Sequence, residues 1–403
     1  METSHKALQL LHALPAPAPA DAPPSTAAAA AFEGFSSILT HFDAGYFRIS
    51  LSLCGQALLW RTLCGGGDGD GDEDVQPRAL GALARHLPPA ASVLLWSLAL
   101  LSLVALTALY AARCLLRFAA VRAEFRHRVA VNYLFAPWAS WLLLLQSAPS
   151  SLLRPGAAPR RVLWCAFAAP VLALDVTVYG QWFTEGRTAL SMAANPTGHI
   201  TVVANLVTAR AAAELGWREG AVAVFAVAVA HYAVLFVTLY QRLLGANALP
   251  AMLRPVFFLF FAAPSMASLA WGAISSSFDT ACKMLFFLSL FLFASLVSRP
   301  ALFRRAMRRF SVAWWAFPFP LTVLAVASVE YAREVEDHAA VVLVLVLSAL
   351  SVAVTVAVVV CTAFRTSDLL PHGDDDPLAC ASSSSMMVVP LDAFTGSLVS
   401  SRV

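Results

Sequence analysis

Long apolar runs alternate with short polar breaks along almost the whole chain, and the length of the runs sets the first expectation. A helix rising ~1.5 Å per residue needs ~20 apolar residues to cross a hydrocarbon core of ~30 Å. Ten runs meet that need, allowing for polar residues where a helix faces protein rather than lipid. They are Ala44–Leu63, Pro89–Leu116, Val129–Ser147, Val162–Trp182, Pro196–Leu215, Ala221–Leu243, Ala251–Ile274, Thr280–Val297, Ser311–Tyr331 and Ala339–Phe364. The tenth carries no charge, while His199, Asn205 and Arg210 dilute the fifth. The expected fold class is an all-α membrane protein with ten transmembrane helices. Residues 1–42 read as a short flexible cytosolic tail, 43–364 as the transmembrane domain and 365–403 as a disordered, Ser-rich cytosolic tail.

The loops bear on that count. An even number of spans puts both termini on one side, and cytosolic loops collect Lys and Arg. The side of the termini holds 16 basic residues and the other side 9, with Arg48 and Arg210 inside spans completing the 27. Both termini are therefore expected in the cytosol. The outer loops are acidic, at Asp68–Asp74 and Glu330–Asp337, and read as solvated surface. A calcium site would need a more regular ligand spacing.

Composition agrees. Only 13% of residues are charged and the mean hydropathy is +0.72, whereas a soluble domain carries about 25% charge. A net charge of +3 offers no basic field for nucleic acid. The 25 arginines against two lysines fit anion handling or a GC-rich genome equally. Seven scattered cysteines without a CxxC suggest neither zinc site nor disulfide framework. The first residues lack the basic and apolar regions of a cleaved signal peptide. No HExxH, Gly-rich phosphate loop or Ser–His–Asp pattern occurs, so neither enzyme nor cofactor is expected.

Candidate chemistry lies in the alternate spans. Pro137 stands in the third, Pro196 opens the fifth, Pro264 stands in the seventh, and Pro318 and Pro320 in the ninth. The first lacks proline but carries Ser50, Ser52, Cys54 and Gly55. Proline kinks a helix and frees a carbonyl, tolerable at membrane depth where backbone faces protein or a wet cavity. Each proline alone reads as packing; their concentration in odd-numbered spans points to a central pathway. Pro170, in the fourth, breaks the pattern. Asp175 is the acid clearly within a span, with Arg48 and Arg210 as conceivable partners in a buried pair. His199 and His231 read as hydrogen-bonded packing residues.

Seven motifs then carry a resemblance: GYFRISLSLCGQALLW, VNYLFAPW, VYGQW, ANPTGH, AHYAVLFVTLYQRL, FAAPSMASLAW and, after RRFSVA, WWAFPFP. In this order, from about Phe42 to Phe364, they resemble the plant slow-type (S-type) anion channels, of the short-N-terminus type. That family has bacterial tellurite-resistance and fungal malate-permease relatives. The resemblance implies five helical hairpins around a pseudo-fivefold axis, with odd-numbered helices lining one pore per subunit and subunits joined as a trimer. It also implies an aromatic gate in the ninth helix, here Phe319. A second phenylalanine constriction found in some members falls on Leu143, where this chain departs from the family's aromatic residue. Basic residues that draw anions to the inner mouth correspond to Arg122, Arg187 and Arg299, which the positive-inside rule explains equally well.

Three functions are compatible with these residues. The first is a plasma-membrane channel for chloride or nitrate. The second is an electrically silent regulatory subunit in heteromers with conducting relatives, and the third a carboxylate (malate) transporter. The expected partners are inorganic anions, the lipid bilayer, related subunits in a homotrimer or heterotrimer, and a regulatory kinase acting on Ser382–Ser385 or elsewhere.

Overall fold

The computed structural model describes residues 36, 38–64, 81, 88–127, 129–154, 156–184, 195–244, 254–302, 304, 307 and 310–366. Arg187, the acidic run Asp68–Asp74, Ser382–Ser385 and most of both terminal tails lie outside these residues. The chain divides into a unit at Met1–Thr40 and a unit at His41–Val403, and every helix named below belongs to the second.

Among the described residues the structure is helical, with no strand. The principal helices are α1 (Arg48–Leu63), α2 (Pro89–Leu116), α3 (Phe135–Gln146), α4 (Ala158–Thr184) and α5 (Gly198–Glu214). They continue as α6 (Arg218–Leu244), α7 (Leu259–Ser275), α8 (Thr280–Val297), α9 (Pro318–Val335) and α10 (His338–Phe364). Two short helices, Phe118–Arg126 and Ala130–Tyr133, join α2 to α3. Seven helices are long and apolar enough to cross a membrane among the described residues, or eight if Phe118–Arg126 and Ala130–Gln146 form one bent span. The chain is thus an all-helical, multi-pass membrane protein. With 16 and 17 residues, α1 and α5 are shorter than the segments expected for them.

Burial separates these helices into two kinds. In the apolar stretch of Val312–Val335, 94% is buried; in Ala90–Leu116 only 11% is. The same contrast runs along the chain, with α1, α3, α5, α7 and α9 buried over most of their length and the even-numbered helices exposed. An exposed Leu, Val or Phe is stable on these outer helices because their surroundings are lipid. Each buried helix packs against the helix that follows it and against two other buried ones: α1 on α3 and α9, α5 on α3 and α7, α7 on α9. Most buried apolar side chains form one cluster spanning these elements.

Local sequence sets the ends. Tight helical turns precede three of the buried helices, at Ala44–Phe47, Pro255–Phe258 and Val312–Ala316. The connections after α5, α7 and α9 turn through left-handed residues, Gly216 (φ 82°), Ser276 (φ 59°) and Glu336 (φ 54°). Asp279 caps α8 by accepting from the Cys282 amide at 3.0 Å. Slight burial would lift the Asp279 pKa, but hydrogen bonds from the Cys282 amide and the Trp271 indole hold it below the usual carboxylate range.

Candidate functional site

Phe319 lies in the first turn of α9, where a helix has no partners for its own amides. Pro318 at the first helical position and Pro320 two residues on cost no hydrogen bond there, since the amides they lack would be unpaired anyway. The expected kinks at Pro318 and Pro320 are therefore a helix start after the turn at Val312–Ala316. Pro137 likewise falls in the first turn of α3, whereas Pro264 stands inside α7.

The Phe319 ring is 1% exposed and rests on α1 at Gly55. A Cβ atom on Gly55 would stand 3.2 Å from Cδ2 of that ring and 3.5 Å from the Thr322 methyl. The first contact is tight enough that the ring would have to shift by a few tenths of an ångström, so glycine gives the ring its close approach to α1.

Beside this seat, the Gln56 side-chain amide lies 2.8 Å from each of three hydroxyls, Thr322 on α9 and Ser351 and Thr355 on α10. Thr322 passes its own proton to the Pro318 carbonyl at 2.8 Å, and Thr355 passes its proton to the Ser351 carbonyl at 2.8 Å. Thr322 and Ser351 hydroxyls are 2.8 Å apart, and with Thr322 already donating, Ser351 is the donor between them. All four residues are buried, where an amide without partners would be costly.

Similar bonds join other neighbours. Ser50 of α1 donates to Ser140 of α3 at 3.2 Å, Ser52 to the Trp315 carbonyl at 3.2 Å, and Gln146 of α3 to the Val207 carbonyl of α5 at 3.1 Å. Ser265 of α7 pairs with Ser289 of α8. At the far end Arg61 donates to the carbonyls of Gln146 and Ala148 at 2.7 and 2.5 Å, and Arg333 to that of Thr62 at 2.5 Å. Cations there complement the negative ends of the helices they meet.

Leu143, on α3, is fully buried in the same apolar cluster as Phe319, and their two helices both pack on α1. Arg122 is exposed on the helix Phe118–Arg126, and Arg299 is exposed just after α8. Asp175 meets neither of its expected arginines. Its Oδ1 accepts from Asn205 Nδ2 at 2.9 Å, while Arg210 pairs with Glu214 at 3.2 Å and Arg48 stacks on the Tyr133 ring at 5.0 Å. His199 is within 3.1 Å of the Pro196 carbonyl, and His231 stands edge-on to Tyr179. Among the described residues no group of His, Cys, Asp and Glu is arranged to hold a metal.

The buried layer is rich in small and hydroxylated residues, and exposed apolar helices wrap it. Residues 41–363 match the voltage-dependent anion channel family, SLAC1, a stretch that runs from before α1 to the last turn of α10. The chain belongs to that family. It is 52% identical over 338 residues to S-type anion channel SLAH1 of Arabidopsis thaliana, covering 83% of this chain and 84% of that one. It is 51% identical over 334 residues to S-type anion channel SLAH4 of the same plant, covering 83% and 86%. Guard cell S-type anion channel SLAC1 of Arabidopsis thaliana is 39% identical over 342 residues, 83% of this chain and 58% of the relative. Sequence reasoning singled out Gly55 in the first span but passed over its neighbour Gln56. The signal for Gln56 was an amide standing next to that glycine inside a membrane-length segment.

Proposed function

We propose that the chain is a slow-type anion channel subunit of the plasma membrane, passing small monovalent anions such as chloride and nitrate through a pore gated by Phe319. The observation that carries this reading is the Phe319 ring seated on Gly55 between buried helices. A bare anion in hydrocarbon costs tens of kcal/mol by Born solvation, so a dry ring across a narrow path is an effective barrier. Swinging the ring away would open a wet path.

The surrounding architecture in this proposal is ten spans, paired as five hairpins with α1, α3, α5, α7 and α9 around the pore. The cyclic packing of those five helices supports it. So does the sequence bias of 16 basic residues to 9, which also supports cytosolic termini. The described helices end at Phe364, which agrees with a membrane domain over 43–364 between two cytosolic tails. Subunits associate as a homotrimer, or as a heterotrimer with related channels. Exposed Arg122 and Arg299, with Arg187, draw anions to the inner mouth. The Ser-rich tail supplies hydroxyls to a regulatory kinase.

One observation favours a second reading, an electrically silent subunit that regulates conducting partners. Leu143 occupies the place of a second aromatic constriction. Carboxylate transport, the third reading, comes from the resemblance to the fungal malate permeases; Asp175, the acid within a span, accepts a hydrogen bond from Asn205, which fits a packing contact of α4 on α5. Whole-cell anion current from Phe319→Ala, against the parent chain at matched surface amount, tests the proposal. An increase supports the gate, and a surface-expressed variant without extra current overturns it.

A further inference from the structure

We propose that Gln56 is the positioning residue of the gate: through Thr322, Ser351 and Thr355 it holds the first turn of α9 so that the Phe319 ring stays on Gly55. This rests on the reading of Phe319 as the gate. Four observations carry it.

The first is adjacency. Gly55 and Gln56 are consecutive on α1; one forms the seat of the ring, and the other bonds to Thr322, three residues beyond the ring on α9. The Thr322 methyl also touches the position a Gly55 Cβ would fill, so seat and bond share one residue. The second is the weakness of the turn being held. Pro318 and Pro320 have no amide hydrogen, and the first turn of a helix makes no amide bonds inward. Its position must come from neighbouring elements, and Gln56 is a polar one of them.

The third is where the hydrogens go. The Gln56 amide has two, shared among the Thr322, Ser351 and Thr355 oxygens, and the Ser351 hydroxyl completes the circuit by donating to Thr322. Thr322 relays the tie to the carbonyl of Pro318, the residue just before the ring. The fourth is reach. One side chain of α1 binds both a buried helix and an exposed one, because Ser351 and Thr355 lie on α10. Moving α9 off α1 therefore means breaking bonds to α10 as well, and freeing a buried amide of its partners is costly. This makes Gln56 a brake on opening. The residue acts through Thr322 on the ring, so it alters how often the path is open and leaves the open path's conductance and anion preference alone.

The experiment uses the full-length chain in whole-cell and single-channel recordings, with surface amount measured by labelling. Gln56→Met keeps the length of the side chain and removes its donors. Expected is a rise in open probability of about threefold, the effect of a typical interhelical hydrogen bond in a membrane, with unitary conductance unchanged. Added to Phe319→Ala, Gln56→Met should produce no further rise, because the ring it positions is gone. Thr355→Val, which cuts the circuit at its α10 end, should raise current in the same direction and serves if Gln56→Met reaches the surface poorly. Surface-expressed variants at both positions that leave current unchanged overturn the proposal while Phe319→Ala still conducts. So does an equal rise with and without the Phe319 ring, which would make Gln56 an independent packing residue. If Phe319→Ala itself passes no extra current, the gate reading fails first and the positioning role falls with it.

Discussion

Arg113 Nη2 lies 2.6 Å from Glu124 Oε1, with the two side chains 5% and 2% exposed. The pair ties the last turn of α2 to the short helix that carries Arg122, and Tyr110 donates to the other carboxylate oxygen at 3.2 Å. Removing one partner leaves a buried charge, at a cost of ~3–5 kcal/mol. Glu124→Leu should lower the thermal stability of detergent-solubilised protein, followed as loss of the folded size-exclusion peak on heating. Arg113→Met together with Glu124→Leu should recover most of the loss, since a well-packed apolar pair replaces a buried ion pair at little cost. Equal melting of Glu124→Leu and parent would show that water reaches the pair.

Phe319→Ala separates gate from core filler, because the two roles predict opposite signs. As a gate its loss raises anion conductance, or creates it where the parent is silent. As packing alone, truncation of a ring 1% exposed costs ~3–5 kcal/mol and lowers the amount of folded protein without current. Leu143→Ala should add to the rise if that side chain narrows the same path, and leave it unaltered if Phe319 is the sole barrier.

Asp175→Asn distinguishes channel from transporter. In a channel, current reverses at the anion equilibrium potential and ignores an imposed proton gradient, before and after the substitution. The motive is the bond from Asn205 to Asp175, which fits a static contact between α4 and α5. Proton-driven carboxylate uptake that Asp175→Asn abolishes would displace the channel reading.

What the sequence disclosed, and what it hid, divide along physical lines. Apolar length and alternate prolines marked out the odd-numbered segments, and those helices are the buried ones, because interior helices shed charge and tolerate broken backbone. The partner of Asp175 was not legible. Charge suggested Arg48 or Arg210, but those meet Tyr133 and Glu214 instead, and the neutral amide of Asn205, five residues before Arg210 on the same helix, takes the carboxylate. Nor was the Gln56 circuit legible, since a hydroxyl in an apolar span does not announce which neighbouring helix it faces. Helix starts were misjudged where prolines cluster: Pro318 reads as a kink until the turn before it is seen.

Tags test the topology. An epitope inserted near Asp70 should be labelled on intact cells, and epitopes at either terminus should be labelled only after permeabilisation. The grounds are the proposed ten spans and, on that count, the excess of basic residues on the side of the termini. Labelling of a terminal epitope on intact cells would remove one span from the proposed ten.

The left-handed joint at Glu336 has a mechanical consequence. It fastens one end of α9 to α10 within a few residues, while Phe319 stands at the other end of the same helix. Seventeen residues of helix make a lever of about 25 Å. A tilt of roughly two degrees about that pivot carries the ring ~1 Å across its seat. The ring thus sits at the end of α9 where a slight tilt of the whole helix is most amplified.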